Sequence, residues 1–151
     1  MPPAKGSAVL DSHHVLRYIS RKHVDPDKNE LTGSGFLARP GEGCPSVNWI
    51  ECFAPPIENQ LAGIRAEKRL KYEKRGKLAR LNVRGTREYV AAEGATILAF
   101  LHDQEDATEK YPEHTSHCVI QGVPELYTPE GELIGDLLLD CALEIYEVVP
   151  G

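Results

Sequence analysis

The stretch LARLNVR, residues 78–84, decides the fold class, because from residue 79 onward its side chains alternate between apolar and polar. Ala79, Leu81 and Val83 would lie on one side of an extended chain, and the two arginines and the asparagine on the other. This period of two predicts a β-strand that is half buried, with its arginines facing water.

A helix is predicted on each side of this strand in the sequence. Pro56 is tolerated at the start of a helix, and apolar residues recur at helical spacing from Ile57, so the first helix is predicted to run to about Lys74. Thr128-Pro129 combines a capping hydroxyl with a proline in the first turn. The second helix is predicted to run from there to the end of the chain.

Thr96–Leu101 is a continuous apolar run of strand length and is predicted to be a central, buried strand. A chain of 151 residues can also bury enough surface to hold a core without disulfides or metals. We therefore predict a single α+β domain over residues 1–151, with a mixed or antiparallel sheet of about four to six strands and two main helices. Residues 1–11 are expected to form a loosely held leader.

Positive charge is concentrated in one part of a chain whose net charge is −6. Residues 65–87 contain ten of the 17 Lys and Arg residues and two acids, whereas residues 88–151 contain one base and 14 acids. Either a cationic surface meets an anionic partner, or the basic and acidic parts of the chain pack on each other. Part of the cluster also has a structural explanation, since basic residues in the last turns of a helix stabilise its dipole.

The first functional hypothesis is a small binding protein. A basic helix-strand face would dock nucleic acid or an acidic partner protein, in a defence or mobile-element setting. About six cations on one face are enough for salt-dependent phosphate binding. A solvated face and pairing with the acidic C-terminal segment stay open as alternatives. The residues of this face are Lys68, Arg69, Lys71, Arg80 and Arg84.

The second hypothesis is an enzyme directed at a phosphoester or nucleotide, of the nuclease or ADP-ribosyl-transfer type. Its catalytic residues would be Arg17 and Arg39, which bind phosphate oxygens, and His117, which acts as acid or base. A guanidinium binds two phosphate oxygens at once, and an imidazole moves a proton near neutral pH. The sequence does not show whether these three side chains meet.

Histidine and cysteine motifs raise the question of a metal site. His102-Asp103 and His114-x-x-His117-Cys118 lie at the two ends of an acidic loop, and zinc is the ion they would suit best. Hydrogen bonding by Ser116 and His117 at the start of a strand is the simpler interpretation, so we predict no metal and no cofactor. The four cysteines form no Cys-x-x-Cys pair and are expected to be reduced.

The N-terminal sequence and the hydropathy bear on localisation. Residues 1–5 are MPPAK, without the apolar core of a signal peptide, and no stretch approaches the roughly 18 to 20 apolar residues that a membrane span requires. We therefore expect a soluble, cytoplasmic protein without a membrane partner. Its oligomeric state is not predicted.

Four short motifs, in this order, resemble a pattern found in small uncharacterised bacterial proteins. The motifs are His14-x-x-Arg17-Tyr18, Phe36-x-x-Arg39-Pro40, Ser46-Val47-Asn48-Trp49 and Ser116-His117-x-x-x-x-Gly122. The resemblance spans nearly the whole chain and implies a bacterial, cytosolic origin. It draws attention to Arg17, Arg39, Ser46 and His117 and implies no particular activity.

Overall fold

The fold is built on one sheet of six antiparallel strands, with a separate hairpin of two short strands. A computed structural model describes residues 6–39, 41–67, 72–73, 75–103, 105–111, 113–125 and 127–148. Within these ranges the strands are β1 His14–Ile19, β2 Val24–Asp25, β3 Glu30–Leu31, β4 Ser46–Trp49, β5 Lys77–Asn82, β6 Ala99–His102, β7 His117–Gln121 and β8 Glu144–Glu147. The helices are α1 Ile57–Arg65, α2 Val83–Gly94 and α3 Pro129–Asp140.

Strand β1 lies inside the sheet, whose strand order is β6-β7-β4-β1-β5-β8. It pairs along its whole length with β5, from His14 opposite Asn82 to Ile19 opposite Lys77. Residues 78–82 therefore lie in an inner strand, as their alternation predicts. The prediction that this strand is half buried is wrong, because Leu78 is buried on the α1 side of the sheet, and Val83 and Arg84 already belong to α2. The strand ends at Asn82, because the side chain of Asn82 accepts a hydrogen bond from the Gly85 amide and caps α2.

Each face of the sheet is covered by helices. Apolar residues of α2 and α3 pack on one face, which we call the α2–α3 face, against Val15, Ile19 and Leu81 among others. Helix α1 packs on the opposite face, the α1 face, against Leu16 and Leu78. Because successive residues of a strand point to opposite faces, this division assigns every strand residue to one layer.

The prediction for the first helix is wrong in its length. Helix α1 ends at Arg65, and Glu67, Tyr72 and Glu73 are not helical. The hydroxyl of Tyr72 donates to the Ile64 carbonyl at 3.1 Å, so a side chain satisfies a carbonyl that a further helical turn would have used. Residues 68–71 and 74 lie outside the described residues.

The prediction that the last helix continues to the end of the chain is also wrong. Helix α3 begins as predicted, with Thr128 Oγ1 accepting from the Gly131 amide at 3.0 Å, but it ends at Asp140. The chain then forms β8 against β5. Ion pairs that join Arg80 to Glu144 and Lys77 to Glu147 favour this edge pairing over another helical turn.

The run Thr96–Leu101 contributes an edge strand, so the prediction of a central strand is wrong. Of this run, only residues 99–101 belong to strand β6. Ile97 precedes the strand, and 87% of it is exposed. Its outer edge is covered by the N-terminal segment, where Gly6 and Val9 donate to the carbonyls of His102 and Phe100 at 2.7 and 2.9 Å. Backbone pairing of this kind hides the open edge of a sheet from other chains.

These findings confirm the predicted fold class, a single compact α+β domain with an antiparallel sheet. In the part of the chain that is described, no helix is both long and apolar enough to cross a membrane. The four cysteines are free thiols.

Candidate functional site

A cluster of polar side chains occupies the α1 face where β4 meets β7. Val47 and Trp49 of β4 point into the α2–α3 core, so the alternation places Ser46 and Asn48 on the α1 face. His117 of β7 lies directly opposite Asn48 in the register and shares that face. Helix α1 covers the neighbouring strands with apolar residues, so polar groups concentrate here. The other members of this polar cluster are Glu67, Asp103, Glu105, His114 and Ser116.

His117 connects Ser46 to Asp103 through its two ring nitrogens. Its Nδ1 lies 2.6 Å from the Asp103 carbonyl oxygen and 3.3 Å from Asp103 Oδ2. Both are acceptors, so Nδ1 carries the ring proton and Nε2 presents a lone pair. The Ser46 hydroxyl lies 3.1 Å from Nε2 and donates to it. A serine, an imidazole and a carboxylate in this order form the arrangement that activates a serine nucleophile.

The backbone of Ser46 is fixed on both sides. Its amide donates to Glu42 Oε2 at 2.9 Å, and its carbonyl accepts from Arg17 Nη1 at 2.8 Å. A hydroxyl held on a rigid strand keeps its place relative to the base without losing conformational entropy in each reaction. The site therefore has a positioned nucleophile and a positioned base.

Glu42 is the carboxylate that joins Arg17, Arg39 and Ser46. Its Oε2 accepts from Arg17 Nη1 at 3.0 Å and lies 3.5 Å from Arg39 Nη1. Burial alone would raise the pKa of Glu42, but Arg17, together with the amides of Arg39 and Ser46, outweighs burial and holds the pKa below its ordinary value. Glu42 is thus a buried anion at neutral pH.

Arg17 is fully engaged by the protein. Its side chain points to the α2–α3 face and is 1% exposed. Its five N–H groups have five acceptors: the carbonyls of Gly35, Leu37 and Ser46 and both oxygens of Glu42. Arg17 and His117 therefore lie on opposite faces of the sheet and meet only through Ser46, with no N–H of Arg17 left for a ligand.

Arg39 differs from Arg17 in being available. Its guanidinium lies over the Tyr18 ring, 5.2 Å from the centroid, which places it on the α1 face with Ser46. The side chain is 31% exposed, and Nη2 donates to the Tyr18 carbonyl at 2.8 Å. Through Glu42 Oε2, Arg39 is two hydrogen bonds away from the Ser46 amide.

His114 lies buried beside His117, with ring centroids 5.4 Å apart. Its Nε2 is 2.7 Å from Asn48 Oδ1, and its Nδ1 is 3.1 Å from Glu105 Oε1 and 3.5 Å from Glu67 Oε2. Burial lowers the pKa of His114, and the positive form of His117 adds to this, although Glu67 and Glu105 oppose it. The neutral ring is therefore favoured in the folded protein.

This lowered pKa predicts an acid-sensitive fold. An unfolded His114 binds a proton below its ordinary pKa of 6.5, whereas the folded one resists it, so the stability at neutral pH is progressively lost as the pH falls below about 6.5. His114→Gln is expected to flatten this part of the curve of unfolding free energy against pH, measured by urea denaturation. A slope in His114→Gln equal to that of the unmodified protein would contradict this account of His114.

The described cations of the basic helix-strand face are paired with acids. Arg80 Nη1 lies 3.1 Å from Glu144 Oε1, and Arg84 Nε lies 2.9 Å from Glu88 Oε1. Lys68, Arg69 and Lys71 lie outside the described residues. The ion pair of Arg80 with Glu144 joins the basic stretch to the acidic C-terminal segment. Packing of these two segments on each other is one of the alternatives that the charge distribution leaves open.

Comparison of the chain with models of protein families, with curated proteins and with solved structures finds no significant match. The chemistry of the polar cluster is accordingly inferred from its own residues.

Several members of the polar cluster were missed by reasoning on the sequence. Asn48 carries a signal, because it alternates with Val47 and Trp49 in a short β-prone run, whereas Ser46 is among the residues to which the motif resemblance draws attention. Glu67 carries none, and neither does Glu42 beside the cluster, since each lies outside a strand or helix. Among the described residues, no group of three or more His, Cys, Asp and Glu side chains has a geometry suited to a metal ion.

Proposed function

We propose that this protein is an enzyme that cleaves or transfers a phosphoester, with Ser46 as nucleophile. The observation that carries the proposal is the hydrogen-bonded chain from the Ser46 hydroxyl through His117 to Asp103, with Nε2 at 3.1 Å and Nδ1 at 2.6 and 3.3 Å. The chain leaves the unprotonated nitrogen facing the hydroxyl. This is the protonation state that a general base requires.

The reaction would take place in two steps. In the first, Ser46 Oγ attacks phosphorus and its proton passes to His117 Nε2; the new Oγ–P bond forms, the bond to the leaving oxygen breaks, and His117 gives the proton to that oxygen. In the second, water attacks the phosphoserine and gives a proton to Nε2, and the proton returns to Ser46 Oγ as it leaves. Asp103 holds the ring and stabilises its charged form.

Arg39 supports the choice of an anionic ester. A guanidinium binds phosphate oxygens and stabilises the charge that develops on them during transfer. Arg39 is a partly exposed cation on the face of Ser46, whereas Arg17 is saturated. We therefore assign substrate binding to Arg39 and a positioning role to Arg17, which orders the strand on which Ser46 lies.

The function is tested by the turnover of two chromogenic esters, bis(4-nitrophenyl) phosphate and the uncharged 4-nitrophenyl acetate. We expect hydrolysis of the phosphodiester by the unmodified protein and a rate at the buffer background for Ser46→Ala. Ser34→Ala is the matched control, because the Ser34 hydroxyl also hydrogen-bonds a histidine, His23 Nδ1 at 2.8 Å, but in a different part of the fold. Equal rates in the unmodified protein and Ser46→Ala contradict the proposal, and turnover of the acetate alone contradicts the choice of substrate.

Replacement of Arg39 separates binding from chemistry. Arg39→Gln is expected to raise KM for the phosphodiester by about tenfold, because one charge-assisted contact is lost. The rate with 4-nitrophenyl acetate, which has no charge to bind, should not change. An equal loss of kcat/KM with both esters would show that Arg39 supports the fold and does not bind the substrate.

The alternative function is docking of nucleic acid or an acidic protein on the basic helix-strand face. Its support is the net charge of residues 65–87, while the ion pairs of Arg80 and Arg84 reduce the free charge available. Reversing the charge at Lys68, Arg69 and Arg80 is expected to lower the salt concentration that elutes the protein from heparin, with Lys110→Glu as control. Unchanged retention would end this alternative.

A further inference from the structure

A second site with a different charge lies at the end of the sheet where β1 meets β5. A cleft of about 800 Å³ opens between the turn of residues 21–23, the β2–β3 hairpin and the start of β5. The cations that line it are Arg21, Lys22, Arg75 and Lys77, and one acid, Glu147, lines it as well. None of them belongs to the polar cluster around Ser46, and only Lys77 and Arg75 fall within residues 65–87.

Two of these four cations are compensated by the protein. Lys77 is 6% exposed, and its Nζ lies 2.6 Å from Glu147 Oε1. Arg21 Nε lies 2.9 Å from Glu73 Oε2, with 66% of the Arg21 side chain exposed. An exposed pair of this kind contributes little to stability, so Arg21 can exchange its partner for a ligand at small cost.

The other two cations are open to a ligand. Lys22 and Arg75 are exposed, and among the described residues neither has an ion-pair partner. They come from two separate segments of the chain, since Lys22 follows β1 and Arg75 precedes β5. Cations that converge on one cavity from separate segments raise the local concentration of anions there, although the protein as a whole carries a net charge of −6.

The remaining lining indicates the size and shape of the anion. Val24 and Pro26 provide an apolar wall, and the volume falls in the range of clefts that hold small ligands, about 300–1,000 Å³. The hairpin that carries this wall also carries Asp25, Asp27 and Glu30. An extended polyanion that ran out of the cleft along the hairpin would meet these carboxylates, whereas a compact anion would not.

We propose that this cleft binds a phosphorylated small molecule of nucleotide size. Arg21, Lys22 and Arg75 contact its phosphate groups, and its uncharged body lies against Val24 and Pro26. The site is independent of the Ser46 reaction, because the two sets of residues do not overlap. A nucleoside diphosphate combines clustered negative charge with an uncharged base whose ring can lie against Val24 and Pro26.

The test is isothermal titration calorimetry at constant ionic strength, with ADP, pyrophosphate and a single-stranded oligonucleotide of 12 thymidines, about the length that covers one small binding surface. We expect ADP to bind the unmodified protein, and the double variant Lys22→Glu with Arg75→Glu to bind it at least about tenfold more weakly. Arg84→Glu with Arg87→Glu, the same change of charge at two arginines outside the cleft, should bind ADP as the unmodified protein does. Ser46→Ala should also bind it unchanged, which separates this site from the proposed reaction.

Three results would overturn the inference. The first is no detectable heat with either ADP or pyrophosphate at millimolar concentration. The second is an equal loss of affinity in the two double variants, which would show a general effect of charge. The third is tighter binding of the oligonucleotide than of ADP with the same dependence on Lys22 and Arg75, which would make the cleft part of a nucleic-acid surface.

Discussion

Arg17→Met is expected to destabilise the protein by about 3–5 kcal/mol, the usual cost of removing one partner of a buried ion pair. Arg17 is 1% exposed, and the side chain of its partner Glu42 is 10% exposed. The substitution leaves Glu42 as a buried charge and removes the donors from the carbonyls of Gly35, Leu37 and Ser46. Urea denaturation followed by circular dichroism measures the change in unfolding free energy.

Two further variants make this prediction specific. Arg84→Met removes an arginine that is 67% exposed and is expected to change stability by less than about 0.5 kcal/mol. Adding Glu42→Gln to Arg17→Met should recover part of the loss, because the buried charge that has lost its main partner disappears. A loss below about 1 kcal/mol in Arg17→Met would contradict the structural role given to Arg17.

His117→Gln is expected to lower kcat for the phosphodiester by about 10²–10⁴-fold, the range that a general base contributes. Glutamine can hydrogen-bond Ser46 but cannot take its proton at neutral pH. The urea denaturation midpoint is the control measurement, and it should change far less than the rate. A fully active His117→Gln would show that the histidine only hydrogen-bonds the start of β7.

Asp103→Asn is expected to have a smaller effect than His117→Gln. The shorter contact of His117 Nδ1 is with the Asp103 carbonyl oxygen at 2.6 Å, and the carboxylate is farther away at 3.3 Å. The backbone carbonyl remains in the variant and keeps the proton on Nδ1, so the reactive tautomer is retained. An effect as large as that of His117→Gln would assign the orienting role to the carboxylate alone.

The layers of the fold follow from local patterns in the sequence. Alternation in residues 78–84 predicts β5, and Thr128 with its following proline predicts the start of α3. The ends of elements depend on contacts distant in sequence, which local patterns do not contain. Tyr72 satisfies a carbonyl at the end of α1, and β8 exists because β5 offers an edge and two cations to its glutamates.

The candidate site was predictable only in part. His117 and Arg39 could be singled out by their chemistry, but the sequence gives no sign that Arg17 points to the other face and is saturated by carbonyls. The partnership of Ser46 with His117 depends on the pairing of β4 with β7, which are separated by about half of the chain. Loops that carry Glu42 and Glu105 have no periodicity, so no pattern places them.

The most direct test of the central claim is reaction with a fluorophosphonate, in which Ser46 Oγ would displace fluoride from phosphorus and form a stable Oγ–P bond. Intact mass spectrometry followed by peptide mapping is expected to show one adduct per chain, on Ser46, in the unmodified protein and in Ser34→Ala. The adduct should be absent in Ser46→Ala and form at least about 100-fold more slowly in His117→Gln. An unlabelled protein, or label that persists in Ser46→Ala, would contradict the claim that Ser46 is an activated nucleophile.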